Sequence, residues 1–204
     1  MTPREVSLLR GAIGTLAWKS AQTGPQYQAE AGLILLLSEI PYANVLTIMK
    51  VNKLIREIKR ASHQSLPFPG WKRHWKEIAV LTWCDAGLQN HPDKSSTMGF
   101  ISGLAPQETL QGQEALVAII TWRSSKTPRQ CLGSNGAEVQ GVTEGEDATF
   151  KFRAMWMEIN GVAADRRTLY DQIRDNTQGI KVLSSRTPRV STTAWFAMFP
   201  VYMA

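Results

Sequence analysis

The order of apolar segments in the second half of the chain constrains the fold more than any other feature. Three β-rich apolar runs follow one another at residues 77–87, 96–106 and 115–125, with polar turns between them. A long helical segment then runs from Glu138 to Ile159, and residues 179–185 form a further candidate strand. Three strands joined by tight turns, followed by a helix and another strand, predict an α/β fold.

The long helix carries an apolar stripe that begins with a carboxylate. At about 100° per residue, one arc of roughly 100° contains Glu138, Val142, Gly145, Thr149, Phe152, Trp156 and Ile159. This stripe predicts a helix that packs on a sheet, and Ser134 or Asn135 could cap its first turn. Glu138 then has two interpretations. Spacing alone favours a carboxylate that complements the helix dipole, and the alternative is a metal ligand held over the end of a sheet.

The metal-ligand interpretation requires a second carboxylate, and Asp85 is the candidate. Asp85 is predicted to end the first strand, where its side chain can project from the sheet towards the N-terminus of the helix. The alternative interpretation is a turn residue that ends the strand, which is a common position for Asp.

The first sixty residues predict a small helical segment. Val6, Leu9, Ile13, Leu16 and Ser20 recur at helical spacing, and a break follows at residues 23–25. A second helix is predicted from Gln26 to about Glu39. A third has an apolar face formed by Ile48, Val51, Ile55 and Ile58 and a basic remainder formed by Lys53, Arg56, Lys59 and Arg60. That basic surface is either an ordinary solvated face or a phosphate contact.

Composition limits the partners and the setting. The chain has 204 residues, a formal net charge of +6 and a pI near 9.5, which favours a nucleic acid over a membrane surface as partner. Cys84 and Cys131 are the only cysteines and have no metal-ligand spacing, so neither a zinc site nor a disulfide framework is expected. The longest apolar run is too short to span a bilayer, and no signal peptide is apparent, so an intracellular protein is expected.

Four blocks of the sequence match, in order, the sequence blocks of one known protein family. The text "RGAIGTLAWKSAQTGPQYQAEAGLILLLSEI" resembles the family block G-x-L-x-Y…T-R-P-D-I, and "NKLIREIKRA" lies where the family has R-Y-L-K-G-T. Two further blocks, "CDAGLQNHPDKSSTMGFI" and "IITWRSSKTPRQCLGSNGAEVQGV", are similar to S-D-A-D-W-A…R-K-S-T-S-G-Y and I-S-W-x-S-K-K-Q…S-S-T-E-A-E-Y-x-A. In these blocks the chain resembles the C-terminal end of the reverse transcriptase and the RNase H domain of copia-type retrotransposon polyproteins, and the resemblance covers nearly the whole chain.

The resemblance implies an RNase H-like mixed sheet with flanking helices. It also implies hydrolysis of the RNA strand of an RNA/DNA hybrid with two Mg²⁺ ions, which converging carboxylates must hold. The implied partners are the hybrid or another nucleic acid and the remainder of the polyprotein, with no membrane partner. Position by position, the resemblance implies catalytic and metal-ligating roles for Asp85 and Glu138. The implied nucleic-acid contacts are Ser134, Asn135, Lys126 and Arg129.

The implied division of the chain has three parts. Residues 1–66 are expected to be the helical tail of a reverse transcriptase, residues 67–76 a linker, and residues 77–204 an RNase H-like domain that is incomplete after about residue 186. The linker has two prolines and basic residues interleaved with tryptophans, which suits either nucleic-acid contact or a hinge with packed tryptophans.

The sequence departs from the family pattern at the third carboxylate. The family places an Asp after the fourth strand, whereas residues 179–185 are followed by Arg186. Asp165, Asp171 and Asp175 lie before that strand in a charged segment that is typical of a solvated surface. We expect a C-terminally truncated sheet whose first strand has an exposed edge. One hypothesis is that the tail after Arg186 is read out of frame, which the nucleotide sequence of the gene would test.

A second departure is that the polymerase motif YxDD is absent, so no complete polymerase is expected. Three functions remain open on the sequence. They are an active RNase H, a catalytically impaired remnant that binds nucleic acid, and a purely structural piece.

Overall fold

The computed structural model describes residues 1–28, 43–91, 93–162, 168, 171 and 181–186. Its helices are α1 (Pro3–Thr23), α2 (Val45–Arg60) and α3 (Ser134–Ile159). Its strands are β1 (Ile78–Gly87), β2 (Thr97–Pro106), β3 (Ala118–Lys126) and β4 (Lys181–Arg186). The predicted α/β class is confirmed, since a sheet and flanking helices occur in the order that the apolar runs indicated.

The four strands form one mixed sheet in the order β3-β2-β1-β4. The β1–β2 and β2–β3 pairs are antiparallel, whereas β4 runs parallel to β1. The expectation of an exposed edge on β1 is therefore wrong along residues 79–84, because β4 supplies the missing hydrogen-bonding partner there. The physical reason is that an α-helical connection lets the chain return parallel to its first strand.

Helix α3 packs on β1 and β2 through a strip of small residues. Its buried residues are Ala137, Gly141, Gly145, Thr149, Phe152 and Met157. The predicted stripe is correct in its middle, where Gly145, Thr149 and Phe152 are buried, and wrong at the end, where Ile159 is 68% exposed. At Gly141 and Gly145 the absence of a side chain lets the helix backbone approach the sheet closely.

A chain of buried hydroxyl groups crosses this interface. The Thr149 hydroxyl donates to the Gly145 carbonyl oxygen at 2.7 Å and lies 2.6 Å from the Thr82 hydroxyl, which lies 2.9 Å from that of Ser102. Because each hydroxyl has one proton, the donors run from Ser102 to Thr82 to Thr149 and then to the carbonyl. The chain satisfies three polar groups in the core and fixes how α3 lies on β1 and β2.

The helical segment has its own small core. Both helices begin with a reciprocal capping box, at Thr2 for α1 and Asn44 for α2. The α1 prediction is confirmed, since four of its five periodic residues are buried, Val6 is half-buried, and Gly24 follows its end. Buried side chains of the two helices meet in one cluster of Leu9, Ile13, Leu16, Val51 and Leu54.

The helical segment and the sheet are connected by specific contacts. The indole Nε1 of Trp122, on β3, donates to the Ser20 carbonyl oxygen of α1 at 2.8 Å. In the predicted linker, Trp71 packs against the core of the sheet and Arg73 forms an ion pair with Glu108. The packed Trp71 favours the hinge interpretation of this stretch, while the division of the chain into domains stays a prediction.

Some predictions fall outside the described residues. These are the second helix beyond residue 28, the carboxylates Asp165 and Asp175, and the tail after residue 186. None of the helices in the described part of the chain is long and apolar enough to cross a membrane.

Candidate functional site

The predicted site lies where the first turns of α3 cross β1. A Cβ atom built on Gly141 would lie 3.2 Å from the carbonyl oxygen of Asp85 and 3.7 Å from the Cβ of Met98. The helix therefore touches the backbone of β1 at Asp85, and Glu138 lies one helical turn before that contact. To this extent the structure brings together the two segments that carry the predicted catalytic residues.

The side chain of Asp85 does not point towards α3. The strand continues two residues beyond Asp85, which pairs with Gly99 in the ladder, so Asp85 does not end β1 as predicted. Thr82 and Cys84 both contact α3 with their side chains. Because successive side chains of a strand alternate between its faces, the side chain of Asp85 lies on the face opposite α3. Asp85 therefore approaches α3 with its backbone carbonyl group and not, as predicted, with its side chain.

Glu138 stands on the helix side of this contact. It is half-buried beside Ala137, which is fully buried against the sheet. The helix begins at Ser134 with Gly133 as N-cap, and no side chain caps it. The prediction that Ser134 or Asn135 caps the helix is therefore wrong, because both residues already lie inside the first turn. Ser134 is half-buried and Asn135 is exposed.

The two predicted basic contacts differ in their surroundings. Lys126, the last residue of β3, forms an ion pair with Asp93, and this pair, together with Ser95, holds the pKa of the Asp93 carboxyl well below its usual range. Arg129 lies in the loop before α3, where its backbone is held by Gln140. The Arg129 amide donates to Gln140 Oε1 at 3.1 Å, and Gln140 Nε2 donates to the Arg129 carbonyl oxygen at 3.3 Å. Lys126 thus has an acidic partner, and the backbone of the Arg129 loop is held by Gln140.

The described residues do not fit a two-metal centre. Among them, no group of three or more His, Cys, Asp or Glu side chains is close enough to hold a metal ion. Asp85 and Glu138 lie on opposite sides of the β1 backbone, and β4 ends at Arg186 without an acidic residue. Two Mg²⁺ ions need several converging oxygen ligands, and Asp85 and Glu138 do not converge on one side of the sheet.

Two features of the site were missed at the sequence level. Gln140 anchors the loop before α3, and the hydroxyl chain through Thr82 anchors the helix itself. No sequence signal marks Gln140. The small residues Ala137, Gly141 and Gly145 recur at intervals of four, and this spacing is a signal of close helix packing.

Cys84 lies beneath the same helix, and its thiol is shielded. Burial, with a smaller contribution from the charge of Glu146, raises the pKa of the Cys84 thiol to about 11. The unfolded chain ionises this thiol near its ordinary value, so the folded state should lose stability as pH rises from about 9 to 11. We expect urea unfolding of wild type to weaken more over this range than that of Cys84→Ala. Equal pH profiles for the two proteins would contradict the shielding.

Comparison of the chain with protein-family models, with curated proteins and with solved structures gave no match.

Proposed function

We propose that this chain is an RNase H-like domain of copia type that binds nucleic acid without cleaving it. The resemblance of four sequence blocks suggests an RNase H-like origin, and the topology of the sheet is the observation that supports this origin best. An RNase H-like fold requires a mixed sheet in which the helix that bears the acidic residue crosses the first strand. The order β3-β2-β1-β4, with α3 lying over β1 and β2, has this form.

The position of the acidic residues supports the absence of cleavage. Glu138 occurs on the helix that the resemblance assigns to it, one turn from the contact between α3 and Asp85. The carboxylate of Asp85 is turned to the other face, and the fourth strand lacks an acid at its end. Loss of one metal-ligating carboxylate from a two-metal centre removes most of its activity. The orientation of the Asp85 carboxylate and the missing acid after β4 together therefore favour binding without cleavage.

Incubation with a labelled RNA/DNA hybrid tests this proposal. The protein is mixed with the hybrid in Mg²⁺ and separately in Mn²⁺, with Glu138→Gln as the matched control. We expect no cleavage by either protein and salt-dependent binding of the hybrid by both. Cleavage by wild type that Glu138→Gln abolishes would overturn the proposal, because a complete catalytic centre would then be present.

The alternative is a purely structural role, in which the sheet is retained and nucleic acid is not bound. The same experiment separates the two roles. Phosphate contacts release counterions, so a nucleic-acid-binding protein loses affinity steeply as salt rises. An absence of binding at low salt would leave the structural role.

A further inference from the structure

The positive charge of the chain is concentrated in its first part. Residues 1–77 contain 11 Lys and Arg against 5 Asp and Glu, whereas residues 78–204 contain 12 of each. The whole formal excess of +6 therefore belongs to the helical segment and the stretch that follows it. Residues 78–204, which contain the nucleic-acid contacts implied by the resemblance, add no net charge.

Within the helical segment, α2 presents the densest basic surface. Lys53, Arg56 and Arg60 are all exposed and follow one another at intervals of three and four, so they form one row along the helix. The only acidic residue of α2 is Glu57, and its carboxylate lies 3.6 Å from Lys53, whose side chain is still 64% exposed. We refer to Lys53, Arg56 and Arg60 as the α2 basic row.

The helix dipole explains only the end of this row. Cations in the last turn of a helix complement its dipole, which accounts for Arg60 and its neighbour Lys59. Lys53 and Arg56 lie before that turn, where the dipole has little effect. These two additional cations add charge repulsion along the helix, which a bound polyanion would relieve.

The opposite face of α2 is already occupied. Val51 and Leu54 are buried against α1, which leaves the basic row pointing away from the core of the helical segment. A helix that binds a membrane surface buries its apolar face among the lipids. Because the apolar face of α2 is used for packing, charge complementarity to phosphates in solution explains the row better than attachment to a lipid surface.

Three basic residues of the sheet and of α3 have acidic partners. Lys126 pairs with Asp93, Arg123 lies 3.0 Å from Glu144, and Lys151 lies 2.6 Å from Asp147. A phosphate group would compete with these carboxylates for the cations. Within the described residues, Lys53 is the single member of the α2 basic row with an acidic partner, and that contact, at 3.6 Å, is longer than the other three.

We propose that the α2 basic row is the principal surface through which this protein holds the phosphate backbone of a nucleic acid duplex. This inference rests on the proposed function and adds to it the place of contact, which the resemblance assigns to Ser134, Asn135, Lys126 and Arg129 instead. Contacts to phosphates position a nucleic acid without reading its sequence. The proposal therefore implies that hybrids of different sequence bind equally well.

The test compares two variants that remove the same charge. The first variant replaces the α2 basic row: Lys53→Gln, Arg56→Gln and Arg60→Gln. The second replaces three exposed basic residues scattered around α1: Arg4→Gln, Arg10→Gln and Lys19→Gln. Affinity for a fluorescent 20-base-pair RNA/DNA hybrid is measured by anisotropy over a series of salt concentrations, and circular dichroism checks that both variants keep their helices.

We expect the α2 variant to lose roughly a hundredfold in affinity near 0.1 M salt, and its salt dependence to become shallower by about three phosphate contacts. The α1 variant should remain within a few-fold of wild type. Equal losses in the two variants would overturn the inference, because net charge alone would then explain binding.

Two further outcomes separate this inference from the proposed function. In the first, the double variant Lys126→Gln and Arg129→Gln abolishes binding while the α2 variant binds normally. The assignment of the binding surface to α2 would then be wrong, and the proposed nucleic-acid binding would stand. If wild type binds vesicles that contain phosphatidylserine but not the hybrid, both the α2 surface and the proposed function are wrong.

Discussion

Gly145→Val is expected to destabilise the sheet and α3 by about 3 kcal/mol, the upper end of the usual cost of overpacking a core. A Cβ atom on residue 145 would collide with the Sγ of Cys84, and it would lie 3.4 Å from both the Cβ of Phe100 and the Cγ2 of Thr82. The two methyl groups of Val add to this collision. Helix α3 would have to move away from the sheet and would disrupt the hydroxyl chain through Thr82.

The chain offers a matched control for this substitution. Gly14 also lies within a helix, but a Cβ atom there would meet nothing within 4 Å. Gly14→Val should therefore leave stability unchanged or slightly increased, since Val is a better helix former than Gly. Stability is measured by hydrogen exchange of the β1 and β2 amides under mild denaturant. Equal protection in the two variants would contradict the close packing of α3.

A second substitution tests the cause of the effect. Cys84→Ala removes the sulfur atom that Gly145 faces most closely. The double variant with Gly145→Val should recover part of the lost stability, and a double-mutant cycle measures the coupling between the two positions. Additive effects would place the collision elsewhere.

Leu54→Ala is expected to destabilise the helical segment by about 2–5 kcal/mol. Leu54 is fully buried, and it packs in the cluster with Leu9, Ile13 and Leu16. The cluster is small, so a cavity there removes much of what holds α1 and α2 together. Thermal unfolding followed by far-ultraviolet circular dichroism should show the helical signal lost at lower temperature.

Leu46→Ala is the control on the same helix, because Leu46 is 64% exposed. It should change the stability by less than about 0.5 kcal/mol. If α2 holds nucleic acid as proposed, Leu54→Ala should also weaken hybrid binding at temperatures where the helical segment of that variant is unfolded. Leu46→Ala should bind normally at the same temperatures. A Leu54→Ala protein as stable as Leu46→Ala would show that the cluster is not the core of this segment.

Elements with a clear period were predictable. The spacing of Leu9, Ile13 and Leu16 identified the buried face of α1, and the apolar runs placed the four strands within a few residues of their observed bounds. The long helix was predicted to start at Glu138, four residues after its observed start. Its beginning was missed because glycine and polar residues there carry no hydrophobic period.

The faces of β1 were not predictable from the sequence. The first five residues of the strand are all buried, so both faces are apolar and no alternation marks which one meets α3. A shift of one residue would exchange the faces and bring Asp85 under the helix. The register is fixed by contacts distant in sequence, such as that between Thr82 and Thr149.

The sequence by itself determined the order and type of the elements, because helix and strand periods are local properties of neighbouring residues. It also determined that the positive charge lies in the first 77 residues. Only the tertiary structure decided that β4 pairs with β1, that the Asp85 carboxylate faces away from Glu138, and that Lys126 and Arg123 of β3 have acidic partners while Arg56 and Arg60 of the α2 basic row have none among the described residues. These properties depend on distances between residues far apart in the chain, and such distances are set by packing.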